Sequence, residues 1–160
     1  MFLIKKFIPI AVIVVLVASV AYIIFSGNKE KVMEVPKASN FISLEIQTIE
    51  NNKEVKKERV TIKDQAKMQK VLDAIDGQNT KQITIGDTEK EMKGVKSYFF
   101  YFENKKERDL KKPFPYAFFI TEKGAVYYTH KGVDEMSTPQ RILKDSPEIL
   151  KELKDITAIK

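Results

Sequence analysis

The sequence predicts an α+β domain: a mainly antiparallel sheet of about five strands with two helices, preceded by a single N-terminal transmembrane helix. Three observations carry this. Residues 7–25, "FIPIAVIVVLVASVAYIIF", are nineteen residues without a charge. Beyond them, apolar residues alternate with a period of two in several short runs. Two further segments space their apolar residues at i, i+3, i+4 and i+7 instead. Strands gathered in runs, with the helices set apart from them, imply α+β.

At about 1.5 Å per residue, 7–25 makes a helix about 28 Å long, close to the thickness of a bilayer's hydrocarbon core. Ser19-Val20-Ala21 has the small residues of a cleavage site. Signal-peptide cores are shorter, however, at about 7 to 15 residues, and cutting there leaves an apolar Tyr-Ile-Ile-Phe end. The sequence therefore predicts a retained anchor. A six-residue tail with Lys5 and Lys6 precedes the span, and a long domain follows, a pattern that favours a cytoplasmic N-terminus and an exported C-terminal part. The expected organisation is a tail over 1–6, a span over 7–25, a polar stalk over 26–40 and an extracytoplasmic domain over 41–160.

In the domain, "FISLEIQTI" (41–49) alternates as a half-buried strand, "ENNK" (50–53) is turn chemistry, and "VKKERVTI" (55–62) returns as a second strand. Asp64 caps a helix whose stripe is Met68, Val71, Leu72 and Ile75, with Gly77 as its stop. Residues 78–94 are polar, with no periodicity beyond a short "ITI". "VKSYFFYF" (95–102) carries aromatics on both faces, as a strand covered on each side does. "YAFFIT" and "AVYYTH" flank Glu122-Lys123-Gly124 as a hairpin. Ser146 caps a terminal helix, with Pro147 in its first position and Ile149, Leu150 and Leu153 facing inward. The helices are expected on one face of the sheet.

The chain has 160 residues, no cysteine and a formal net charge of +6. The lack of cysteine excludes disulfides, thiolate metal sites, cysteine nucleophiles and lipid attachment through cysteine. The charges are interspersed, as on a solvated face, whereas nucleic-acid binders concentrate theirs, so no nucleic-acid partner is expected. His130, the sole histidine, ends a strand, and no nucleophile motif accompanies it; it is expected to be a plain exposed residue. "GDTEKE" (86–91) lacks the spacing of a calcium loop and reads as solvated loop. No phosphate-binding or zinc-protease motif occurs, so neither a cofactor nor a metal is expected. Eleven of the sixteen aromatic residues lie between Tyr98 and Tyr128, where they are expected to build core, with tyrosines left to rim a groove. The candidate partner surface is the basic stretch Lys105, Lys106, Arg108, Lys111 and Lys112, together with Tyr127.

An early strand pair followed by "TIKDQAKMQKVLDAI", "YFFYF", "GAVYYTHKG" and "EILKELKDI" resembles small uncharacterised envelope domains of Gram-positive bacteria. Some of those sit on lipid-modified cysteines and some on N-terminal helices. The resemblance spans about residues 41–156. This chain lacks the cysteine of the lipid-modified members, and no catalytic residues carry over. The function expected is a single-pass, membrane-anchored extracytoplasmic protein with a non-catalytic binding or accessory domain at the cell envelope. Its partners would be the membrane and either another envelope protein or an anionic wall polymer. The alternative is an envelope hydrolase with dispersed acidic catalytic residues.

Overall fold

A computed structural model describes residues 31–51, 53–104, 116–130 and 136–160. These form one nine-stranded, wholly antiparallel sheet and three α-helices. The sequence expectation of about five strands and two helices is thereby corrected: among the described residues there are nine strands, and a third helix joins the two expected. The span expected over 7–25 lies outside the described residues. Among the described residues no helix is long and apolar enough to cross a membrane.

The strands are β1 (Lys31–Val32), β2 (Phe41–Glu50), β3 (Lys53–Glu54), β4 (Val60–Ile62), β5 (Asn79–Gln82), β6 (Ser97–Asn104), β7 (Tyr116–Thr121), β8 (Val126–His130) and β9 (Met136–Ile142). The helices are α1 (Gln65–Asp73), α2 (Ile85–Met92) and α3 (Pro147–Thr157). Across the sheet the order is β1-β5-β9-β8-β7-β6-β2-β3, with β4 beside β3 on the same edge of β2. The meander β6–β9 forms the middle. The connection through α1 carries the chain from the β4 edge to β5, near the opposite edge.

One face of the sheet is the main core. Leu44 and Ile46 of β2, Phe100 and Phe102 of β6, Phe118 and Ile120 of β7 and Val126 of β8 are all at most 1% exposed. Met68, Val71, Leu72 and Ile75 cover them from α1 and its exit, and Ile149, Leu150 and Leu153 cover them from α3. Both helices start on side-chain caps. Asp64 accepts from the Lys67 amide at 2.9 Å, and Ser146 accepts from the Ile149 amide, with Pro147 in the first position. The turn after β7 is built against the start of α3. Gly124 has φ +83°, and a Cβ there would lie 2.2 Å from the Ser146 carbonyl carbon.

The elements missing from the sequence reading share a cause: tertiary pairing makes them, and local pattern does not. In β5, "NTKQ", only Thr80 is buried; its hydroxyl donates to the Lys31 carbonyl at 2.8 Å while β1 and β9 pair on either side. β9 contains Pro139, which ordinarily argues against an interior strand. Here it lies where the β8–β9 register shifts. Residues 31–40, expected within the stalk, supply β1 and the buried Met33 and Ala38. The expected strand over 55–62 is a 3-10 turn at Lys56–Glu58 followed by β4, and β3 begins just before it, at the end of the expected turn. Residues 86–91, expected as loop, lie in α2.

Candidate functional site

The second face of the sheet is covered differently. It presents Phe99 and Tyr101 of β6, Ala117 and Phe119 of β7, Tyr127 and Thr129 of β8, and Pro139 and Arg141 of β9. Their neighbours on each strand face the core, as strand alternation requires. Among the described residues, α2 is the segment that crosses this face, on the way from β5 to β6. Thr84 caps α2: its hydroxyl accepts from the Asp87 amide at 3.1 Å and donates to the Asp87 carboxylate at 2.7 Å. None of the eight residues of α2 is buried, and Ile85 is 67% exposed.

Between α2 and the strands runs a groove of about 330 Å³. Ile85, Thr88 and Met92 form its helix wall. Phe99, Ala117, Phe119, Thr129 and Pro139 form its floor. Phe99 and Phe119 stack with their centroids 4.5 Å apart, which holds the floor flat. The buried Ile83, Ala125 and Tyr127, with Met92 and Phe119 against them, seal one side as a small second cluster.

A polar clasp holds α2 in place. Tyr127, 5% exposed, donates its hydroxyl to Glu91 at 2.6 Å. Arg141 Nε donates to the same carboxylate oxygen at 2.8 Å, while Arg141 Nη2 reaches Asp145 at 2.6 Å. The Arg141 guanidinium also lies over the Tyr127 ring, 5.6 Å from its centroid. The hydrogen bond from Tyr127, joined by the attraction of Arg141, lowers the Glu91 pKa. Burial, and then the bond to Glu91, push the Tyr127 phenol up to about 12.

This arrangement suits apolar binding. Arg141 is engaged by two carboxylates, and Glu89 is the carboxylate in the groove lining. Among the described residues no cluster of three histidine, aspartate or glutamate side chains could hold a metal ion. A wider cleft between α1 and α3 sets Lys67, Lys70 and Lys151 among Glu148, Glu152 and Asp155. Its charges are mixed and solvated, with Lys151 and Asp155 3.9 Å apart, and they form no convergent site.

Of the candidate surface residues read from the sequence, Tyr127 lines the groove. Lys105, Lys106, Arg108, Lys111 and Lys112 lie outside the described residues. His130 ends β8, and its side chain lies outside what is described. Sequence reasoning missed Ile85, Met92, Glu91 and Arg141. The available signal was Thr84-Ile-Gly-Asp87, a capping-box pattern that opens a helix inside the polar stretch. The chain matches no protein-family model, no curated protein and no solved structure.

Proposed function

We propose that this protein is a single-pass, membrane-anchored, non-catalytic binding module of the cell envelope, and that its binding surface is the groove beneath α2. The observation that carries the binding reading is a preformed apolar slot whose helix wall has no buried residue. Ligand sites are concave, mostly apolar and about 300–1,000 Å³, with few polar groups to orient the ligand. Thr88 and Thr129 supply such groups here. The non-catalytic reading rests on the carboxylates: Glu91 is held by Tyr127 and Arg141, which leaves Glu89 without an acidic partner in the lining. The anchor rests on the nineteen uncharged residues 7–25, and carbonate washing of membranes should leave the full chain in place.

The test uses the full chain in its own membranes, with a photoreactive benzophenone residue at Thr88 or, as a control, at Lys67 in the solvated, mixed-charge cleft between α1 and α3. Irradiation should give a discrete adduct, to protein or lipid, from Thr88 and none from Lys67. Equal labelling from the two positions, or none from either, would remove the groove as a binding surface.

A further inference from the structure

We infer that the groove beneath α2 takes one acyl chain of a phospholipid from the membrane in which the protein is anchored; this rests on the binding reading above and names its ligand. Three observations converge on it.

The first is shape. The floor passes from Phe99 on β6, through Ala117 and Phe119 on β7 and Thr129 on β8, to Pro139 on β9. Those four strands are neighbours in the sheet, so the floor covers three interstrand spacings, about 14 Å at about 4.8 Å each. A volume of about 330 Å³ divided by that length leaves a section of about 24 Å². A section of this size matches a single hydrocarbon chain lying across the strands.

The second is chemistry. Ile85, Met92, Phe99, Ala117, Phe119 and Pro139 offer hydrocarbon, ring and thioether surface. Among the described residues the lining holds no cation, and Arg141, over the Tyr127 ring, already serves Glu91 and Asp145. An anionic ligand would lose its hydration against a lining whose one charged side chain is Glu89, whereas an alkyl chain gains at every methylene that leaves water. The methionine and the flat aromatic stack adapt to a chain without a fixed kink.

The third is supply. Only residues 26–30 separate the apolar run from β1, and five residues reach at most about 18 Å. A domain on so short a leash works next to lipid. Among the described residues the exposed large apolar side chains are Val32, Ile85 and Leu143. Val32 belongs to β1, Ile85 follows β5, and Leu143 follows β9. Val32 and Leu143 lie together at the start of β5, beside the strand that follows residues 26–30, while Ile85 lies past the far end of β5 at the groove. The Val32 and Leu143 backbones both meet Asn79.

The experiment reconstitutes the full chain in phosphatidylcholine vesicles doped with a phosphatidylcholine that carries a diazirine at the end of one acyl chain. After irradiation the labelled peptides are mapped. Labelling is expected at α2 and at the β7–β8 floor, in addition to residues 7–25. Ala117→Phe fills the slot from the floor and Thr88→Phe fills it from the helix. Excluding even two methylenes lowers occupancy about tenfold, so groove labelling should fall by about that factor in each variant while labelling of 7–25 persists. The thermal transition of each variant reports folding, and if Ala117→Phe loses its transition the comparison is made with Thr88→Phe alone. Groove labelling that survives the filling substitutions would overturn the inference, as would labelling confined to 7–25. In that second case, a protein adduct from the Thr88 benzophenone would keep the binding reading with a protein partner. No adduct would end both.

Discussion

Strands β6 and β7 place one stacked phenylalanine pair on each face of the sheet, and the two pairs lead different lives. Phe100 and Phe118 lie 4.6 Å apart, at most 1% exposed, sealed beneath α1 and α3. Phe99 and Phe119 lie 4.5 Å apart on the opposite face, half-buried, in a groove roofed by a helix with no buried residue. Residue type and strands are the same, and the centroid separations nearly so, with the rings 10° from parallel in the core pair and 28° in the other. The difference lies in what packs on top, and among the described residues that separates a face that holds the fold from a face covered by α2 alone.

The largest effect expected separates those pairs directly. Phe100→Ala empties a site that cannot collapse and should cost about 3–5 kcal/mol, read as a lowered denaturation midpoint with an unchanged slope. Phe99→Ala removes an equal ring from a surface that water already reaches and should cost about 1–2 kcal/mol, since only part of its area is buried. Equal losses would mean that the groove face is as essential to folding as the core face, and the division would fail.

Next in size is Gly124→Ala. A side chain there must hold φ near +83° and meet the Ser146 backbone at 2.2 Å. Left-handed strain alone costs about 1–3 kcal/mol, and the collision would push α3 off its cap. The damage should therefore appear on the core face, as lost protection in α3, with α2 unchanged. Loss confined to α2 would contradict the assignment of this turn to the core.

Smaller still is Glu91→Ala, which removes the acceptor shared by Tyr127 and Arg141. Partly exposed ion pairs contribute about 0–1 kcal/mol, so global stability should change little. Hydrogen exchange over Ile85–Met92 should nonetheless speed up while Gln65–Asp73 keeps its rate, because local opening draws on the contacts of that element alone. Equal acceleration of both helices would show that α2 is part of the cooperative core.

This division also decides what the sequence could reveal. α1 and α3 were legible because burying one face of a helix writes a periodic stripe, Met68, Val71, Leu72 and Ile75 in one and Ile149, Leu150 and Leu153 in the other. β2, β6, β7 and β8 were legible for the same reason at period two. α2 has no fully buried residue, so it writes no clear stripe, and its acidic residues resembled a loop. The aromatics on both faces of "YFFYF" did announce a strand in the middle of the sheet. They could not announce that the cover on one side would be incomplete, because coverage is set by the distant pairing of Arg141 and Tyr127 with Glu91. β1 and β5 are held by partners far along the chain, and β9 carries a proline that local rules would keep out of an interior strand.

The subtlest test sharpens the comparison through pH. Glu91 has its pKa lowered from 4.5 by the Tyr127 hydrogen bond and by Arg141, so the clasp is intact above that ordinary value and weakens as pH falls through the lower folded value. Tyr127 has its pKa raised from 10 to about 12 by burial and by Glu91, so its contribution is whole below 10 and is lost as pH rises from 10 through about 12. The protection of α2 relative to α1, a ratio that cancels the intrinsic pH dependence of exchange, should therefore hold a plateau between those limits and drop on both sides. Asp64 caps α1 in the open, but α1 is fixed by Met68, Val71 and Leu72, which do not titrate. The acid-side drop should vanish in Glu91→Ala, whose ratio is already low, whereas a ratio that falls in acid to the same extent in that variant would trace the effect to another carboxylate and release α2 from the clasp.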